Sequence, residues 1–148
     1  MTLRNRTPLL VAAGVIHRNG QILVGQRRKA DRHPLKWEFP GGKVESGESP
    51  QQALVRELRE ELAIEAIIGS ELARYEHEYT GGSRVHLLFF AVIQFQGQPS
   101  PRVFQQISWI DIRSLPDLDF LEGDLDFIQR LSRGDFSARL GLHTEPRL

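Results

Sequence analysis

The 148-residue chain contains no cysteine. Disulfides and thiolate metal sites are therefore excluded, and a reducing compartment fits. Net charge is also lacking: 19 Lys and Arg balance 19 Asp and Glu. Such a chain has no broad field to draw it to nucleic acid, so stable nucleic-acid binding is not expected. No apolar run approaches the roughly 18 residues that would cross a bilayer. Residues Met1 to Pro8 carry Arg4 and Arg6, yet no cleavable leader follows them, and Leu9 to Ile16 reads as a strand. The chain has no internal repeat. The expectation is one cytoplasmic domain over residues 1–148, monomeric or homodimeric, with no membrane partner. A chain of this length buries roughly 68–70% of its unfolded surface, so its core needs no staples.

Several familiar motifs are missing too. Asp117-Leu118-Asp119 opens like a calcium loop, but Leu121, Glu122 and Ile128 break the pattern at its fifth, sixth and twelfth positions. Gly42-Lys43 lacks the earlier glycine of a P-loop, and no Gly-x-Ser-x-Gly elbow occurs. His17, His33, His77, His86 and His143 show no zinc spacing, and His77 and His86 read as ordinary strand residues.

What the chain does have is concentrated between Gly42 and Ile64. Ser49 is a good N-cap, Pro50 suits the first helical position, and Gln52 completes a capping box. Leu54, Leu58 and Leu62, with Val55 beside them, form one apolar stripe. Beside it lie Glu57, Glu60 and Glu61. Like charges at such spacing cost a helix a few tenths of a kcal/mol. Taken alone they describe either a solvated face paired to Arg56 and Arg59 or a site for a hard cation with oxygen ligands.

Around this stretch, Leu9 to His17 and Gln21 to Gln26 read as a hairpin closed by Asn19-Gly20, a pattern that a buried edge of a mixed sheet would share. Arg27, Arg28 and Lys29 open a polar loop through Pro34: a solvated loop, or in Arg27 a phosphate grip. Trp37 to Gly42 leads into the helix, and its two glycines allow a close backbone approach. Glu65 to Ile68 and Leu72 to Tyr79 read as extended, with Tyr75, His77 and Tyr79 in period-two alternation. Gly81-Gly82 turns the chain into a long strand, Val85 to Phe95. Gly97 to Pro101 is a loop, and Ile107 to Ile110 is a short strand. Leu121 to Leu131 fits a helix with Leu121, Leu125, Ile128 and Leu131 on one face, ended by Gly134. Asp135 to Leu148 reads as a loosely held tail.

The pattern Gly42, Glu48, Arg56, Glu57, Leu58, Glu60, Glu61, Ala63, Ile64 resembles the Nudix box, departing only where Ala63 replaces a glycine. That glycine follows the helix, where a left-handed backbone is usual, and alanine there costs about 1 kcal/mol. The likeness extends to Gln26-Arg27, to Trp37 through Lys43 and to His86-Leu87, and is nearest the MutT-like branch, which includes CTP pyrophosphohydrolases. It implies an α/β/α sandwich around a mixed β-sheet. It implies Mg2+-dependent attack of water on a nucleoside triphosphate, 8-oxo-dGTP among the possible substrates, giving monophosphate and pyrophosphate. Manganese is a possible substitute for magnesium. On this resemblance Glu57, Glu60, Glu61 and the Gly41 carbonyl hold the metal, and Glu48 touches it through water or through another ligand. Glu57 is also a candidate base, oriented by Arg56. Arg27, Phe39, Gly42, Lys43 and Asp124 face the nucleotide.

Two features depart from that pattern. Relatives usually carry an acid in the loop before Trp109, where this chain has Gln105 and Gln106. At the start of the last helix relatives have Pro-Ala-Asn or Pro-Ala-Asp, and Glu122-Gly123-Asp124 stands there. Asp124 either favours the first helical turn by its charge or meets the base. A nucleotide-binding module that has lost catalysis is the rival reading, supported by the missing loop acid alone.

Overall fold

The structure is a computed structural model and describes residues 8–142. Strand β1 (Leu9–Val15) is apolar on both faces, which suits a strand inside a sheet. It lies between β5 (Gly41–Lys43), antiparallel, and β7 (Ser83–Gln96), parallel, with Leu9 opposite Val85. Strand β6 (Glu65–Tyr79) completes the order β5-β1-β7-β6. A second sheet joins β2 (His17–Arg18), β3 (Gln21–Gln26), β4 (Trp37–Glu38) and β8 (Gln106–Asp111).

The expected hairpin is therefore much shorter than the sequence suggests. Asn19 and Gly20 take positive φ of 54° and 76°, as a two-residue hairpin turn requires. Yet only His17 and Arg18 pair with Ile22 and Gln21. β1 and β3 lie in different sheets, because β1 satisfies both of its edges with β5 and β7.

Helix α1 (Pro50–Leu62) covers one face of the first sheet. Leu54, Leu58 and Leu62, all fully buried, meet Ala12, Leu88, Phe90 and Val92. Burying each leucine is worth about 2 kcal/mol. The opposite face, Ala13, Val15, Leu87, Phe89 and Ala91, meets α2 (Leu125–Ser132) and α3 (Ser137–Leu140) through Phe127, Ile128, Leu131, Phe136 and Leu140. Alternate residues of β7 thus serve opposite cores, as a strand's period of two dictates. The resulting mixed sheet between helical layers is the expected α/β/α sandwich.

β6 and β7 pair along nearly their whole length, but the register shifts at Ile67/Ile68, Ile68/Glu71 and Glu71/Ala73. These bulges explain why the sequence reads as two extended pieces. The last helix begins as a 3-10 turn (Glu122–Asp124) and buries Phe127, Ile128 and Leu131, while Leu125 is 45% exposed. The expected face was rotated, because the stripe runs Asp124, Phe127, Ile128, Leu131. The expected loose tail is also corrected: Phe136 and Leu140 are buried, and Arg139 donates to the Leu72 carbonyl. His143 to Leu148 lies outside the described residues.

Candidate active site

Helix α1 carries the first half of the site. Its capping box forms in both directions: the Gln52 N–H donates to Ser49 Oγ at 3.1 Å, and the Ser49 N–H to Gln52 Oε1 at 2.8 Å. The helix ends at Ala63, left-handed at φ 60°, whose N–H donates to the Arg59 carbonyl. The alanine substitution therefore keeps the glycine's backbone geometry and leaves the carboxylates in place.

Arg56 is the hub. Its guanidinium grips Glu48 with two bonds of 2.8 and 3.0 Å and donates to Glu57 Oε1 at 2.9 Å and to the Lys43 carbonyl at 3.1 Å. It reaches exposed Glu60 only at 3.5 Å. The Arg56 bonds, with help from the Glu45 N–H, hold the Glu48 carboxyl down to about 2. Glu48 is thereby committed to Arg56 and to the turn at Glu45.

Glu57 and Glu61 are in the opposite condition. Burial raises the Glu57 pKa, and Arg56 only partly opposes this. Burial pushes Glu61 up to about 9, against one donor, the Gly41 N–H at 2.9 Å. Glu38, Glu57 and Glu60 add repulsion there. The backbone comes close because side chains are absent. A Cβ at Gly42 would lie 2.5 Å from the Glu57 carboxyl carbon, and one at Gly41 would drive into the Ala12 carbonyl.

Among the described residues, no three His, Cys, Asp or Glu side chains converge tightly enough to hold a metal ion. Glu60 points to solvent, so the expected set is close in the chain but not gathered at one point. The donor chemistry nonetheless fits a hard cation. Glu57 and Glu61 are carboxylates with too little positive charge around them, and only one oxygen of Glu57 has a protein donor.

A cavity of about 330 Å³ runs from this carboxylate end to a second polar end. Gly41, Gly42 and Glu61 line it together with Asp124, Tyr79 and Leu87. Every residue expected to face a nucleotide lines it: Arg27, Phe39, Gly42, Lys43 and Asp124. Their roles differ. Arg27 is occupied, donating to Glu38 at 3.0 Å and to the Arg32 carbonyl at 2.6 Å. Phe39 is 3% exposed and packs on Phe89, Phe120 and Phe127, so it is chiefly core.

Asp124 is 4% exposed, stands at the start of α2 and makes no side-chain cap bond to its helix. Burial raises its pKa well above the usual value, and nearby Glu38 adds to this, while the Phe39 N–H opposes it. Glu38, Arg32, His33 and Tyr79 also line the cavity and were not singled out from sequence. For Tyr79 the signal existed in its alternation with Tyr75 and His77. Gln106, one of the two residues in place of the loop acid, donates to Gln26 at 2.8 Å and ties β8 to β3.

This fold and this carboxylate helix define a hydrolase of phosphoanhydride bonds in nucleotides. The chain belongs to the NUDIX domain family, whose model matches residues 8–131. A CTP pyrophosphohydrolase of Escherichia coli is 44% identical over 99 residues, covering 67% of this chain and 73% of that protein. An 8-oxo-dGTP diphosphatase of the same organism is 36% identical over 126 residues, 84% of this chain and 97% of that one. The solved E. coli ORF135 protein superposes with a TM-score of 0.80 at 34% identity, covering 94% of this chain and 97% of that chain. Among the described residues no helix is long and apolar enough to cross a membrane.

Proposed function

We propose that the protein hydrolyses nucleoside triphosphates to monophosphate and pyrophosphate, with Mg2+ as its cation, as a cytoplasmic monomer or homodimer. One observation carries this reading: a single cavity is lined both by Glu61 of the carboxylate helix and by the buried Asp124. Glu57, Glu61 and the Gly41 carbonyl would hold the cation, with Glu60 completing the set from solvent. Bound there, a divalent cation neutralises the phosphates and activates water.

The rest belongs to the chain's own groups. Arg32 and Lys43 line the cavity without an ion pair among the described residues, so they are placed to meet phosphate oxygens. Arg27 positions Arg32, since it holds the Arg32 carbonyl and is itself anchored on Glu38. Arg56 holds one oxygen of Glu57 and leaves the second without a protein donor among the described residues, so it can accept a proton from water. Asp124 reads the base. Burial favours its neutral form, which donates and accepts as asparagine does. The names of the relatives make 8-oxo-dGTP and CTP the two nucleotides to compare.

The test is pyrophosphate release from a mixed nucleotide panel with and without magnesium. Release that requires the metal supports the reading. Nucleotide binding without release from any member would overturn it in favour of a binding module. In oxygen-18 water, attack at the β-phosphorus puts the label in pyrophosphate, and attack at the α-phosphorus puts it in the monophosphate.

A further inference from the structure

Gly123 poses a question that backbone conformation does not answer. It sits in the 3-10 turn Glu122–Asp124 and is not among the positive-φ glycines, so any residue could adopt its backbone. Space is what requires glycine there. A Cβ would fall 2.6 Å from the Tyr79 hydroxyl oxygen and 3.0 Å from Leu87 Cδ1. Real Cβ atoms do not come that close to an oxygen. The buried backbone at 123 is therefore pressed onto a phenol oxygen, and the Gly123 N–H donates to it.

An oxygen that accepts on one side must aim its own proton elsewhere. Gly123 is the one hydrogen-bond partner of the Tyr79 hydroxyl among the described residues, and it donates, so the phenol proton is left to point into the cavity. The ring is held in place by His77, edge-on at 4.4 Å, and by His33 at 5.1 Å. It borders the same cavity as Asp124. Burial pushes the phenol up to about 12, so the donor persists at any working pH.

Resting on the nucleotide reading above, we propose that Tyr79 determines specificity: its hydroxyl, admitted by Gly123, donates to an acceptor atom on the nucleobase edge that Asp124 also meets. Cytosine N3 beside its amine, or guanine O6 beside N1–H, offers such an edge. Tyr79 thus supplies a fixed donor next to the carboxyl of Asp124, and a substrate without a base gains nothing from it.

The test compares kcat/KM for CTP, 8-oxo-dGTP and a base-free deoxyribose triphosphate, with magnesium, in wild type, Tyr79→Phe, Gly123→Ala and the double variant. Tyr79→Phe should lower kcat/KM about tenfold for the better nucleotide, the scale of one hydrogen bond, and leave the base-free substrate within about twofold. Gly123→Ala should show a similar loss and a lower Tm. In the Tyr79→Phe background, Gly123→Ala should cost less in both measures than it does in wild type, because the oxygen at 2.6 Å is gone and only the Leu87 and His77 contacts remain. An unchanged ratio between nucleotide and base-free substrate in Tyr79→Phe would overturn the proposal, as would additive Tm losses. The rise in Tm on adding each nucleotide reads the same contact without turnover. An inactive wild type would overturn the hydrolase reading alone, whereas equal nucleotide-induced Tm rises in wild type and Tyr79→Phe would overturn this contact.

Discussion

The two ends of the cavity hold their carboxylates in opposite ways. On α1, Arg56 spreads one guanidinium over Glu48, Glu57 and, at the limit of reach, Glu60. At the α2 end, Asp124 is buried with one backbone donor, and the nearby Arg27 is spent on Glu38. The first arrangement gathers a carboxylate paired to arginine, Glu48, with two that burial raises, Glu57 and Glu61, beside a place for a cation. The second favours the uncharged form of an acid and makes it a reader of hydrogen bonds. The lesson is that charge count alone does not define a carboxylate's task; the donors around it do.

The sharpest way to break the comparison is Glu57→Gln. It removes the carboxylate charge that Arg56 holds against Gly42 and should lower kcat about a hundredfold to ten-thousandfold while nucleotide still raises Tm. Near-native turnover would move the proton acceptor elsewhere. Gly42→Ala should come next. Its Cβ must displace the Glu57 carboxyl, and a shift of about 1 Å costs up to roughly a hundredfold in kcat. Unaltered kcat in this variant would mean that Glu57 has room to retreat without consequence. Arg56→Lys keeps the hub's charge and loses its two-pronged hold on Glu48. About a tenfold fall in kcat is expected, and equal rates for Lys and Arg would reduce the hub to a point charge.

The Asp124 end is sharpened by pH. Its folded pKa is raised above the unfolded value, so the stability linked to it is complete below the unfolded pKa. That stability is lost as pH rises through the folded value. Glu61 adds a slope of the same sign up to about 9. Asp124→Asn removes the Asp124 part. Urea titrations from pH 5 to 8 should show the variant gaining on wild type as pH rises, by about 1–3 kcal/mol at the upper end. A constant difference would place a charged partner near Asp124. The same variant should change the ratio of kcat/KM between 8-oxo-dGTP and CTP by about tenfold. The smallest effect belongs to exposed Glu60: Glu60→Gln should change kcat by only about threefold while raising the magnesium needed for half-maximal rate. An unchanged magnesium titration would remove it from the cation's surroundings.

The α1 half of the site was legible because its signals are local. A capping box, a stripe with a four-residue spacing and a left-handed end at Ala63 need no distant partner to be understood. The Asp124 half was legible only in part. The spacing Asp124, Phe127, Ile128, Leu131 already placed the acid on the apolar stripe, but reading Leu125 as core hid this. Tyr79 and Gly123 lie far apart in the chain, and neither explains the other until they touch. Likewise the Asn19-Gly20 turn was correctly read, yet nothing local could reveal that β1 leaves β3 for β7. The cation site lies between these cases: the glutamates share a helix, but whether they converge depends on Arg56 and on rotamers that spacing does not specify.

The parallel pairing of β1 with β7 also sets an order of events for a chain still being made. β1 occupies the middle of its sheet, and both of its neighbours are synthesised later, β7 after the whole of α1 and β6. Closing so long a loop precedes any reward from the pairing, so assembly is slow for a domain of this size. During that interval Leu9–Val15 is an apolar strand whose β7-facing edge stays open, since β5 can cover only the other. A ribosome-bound chain stopped before β7 therefore holds the complete carboxylate helix but no cavity, and it offers β1 to chaperones or to other nascent chains.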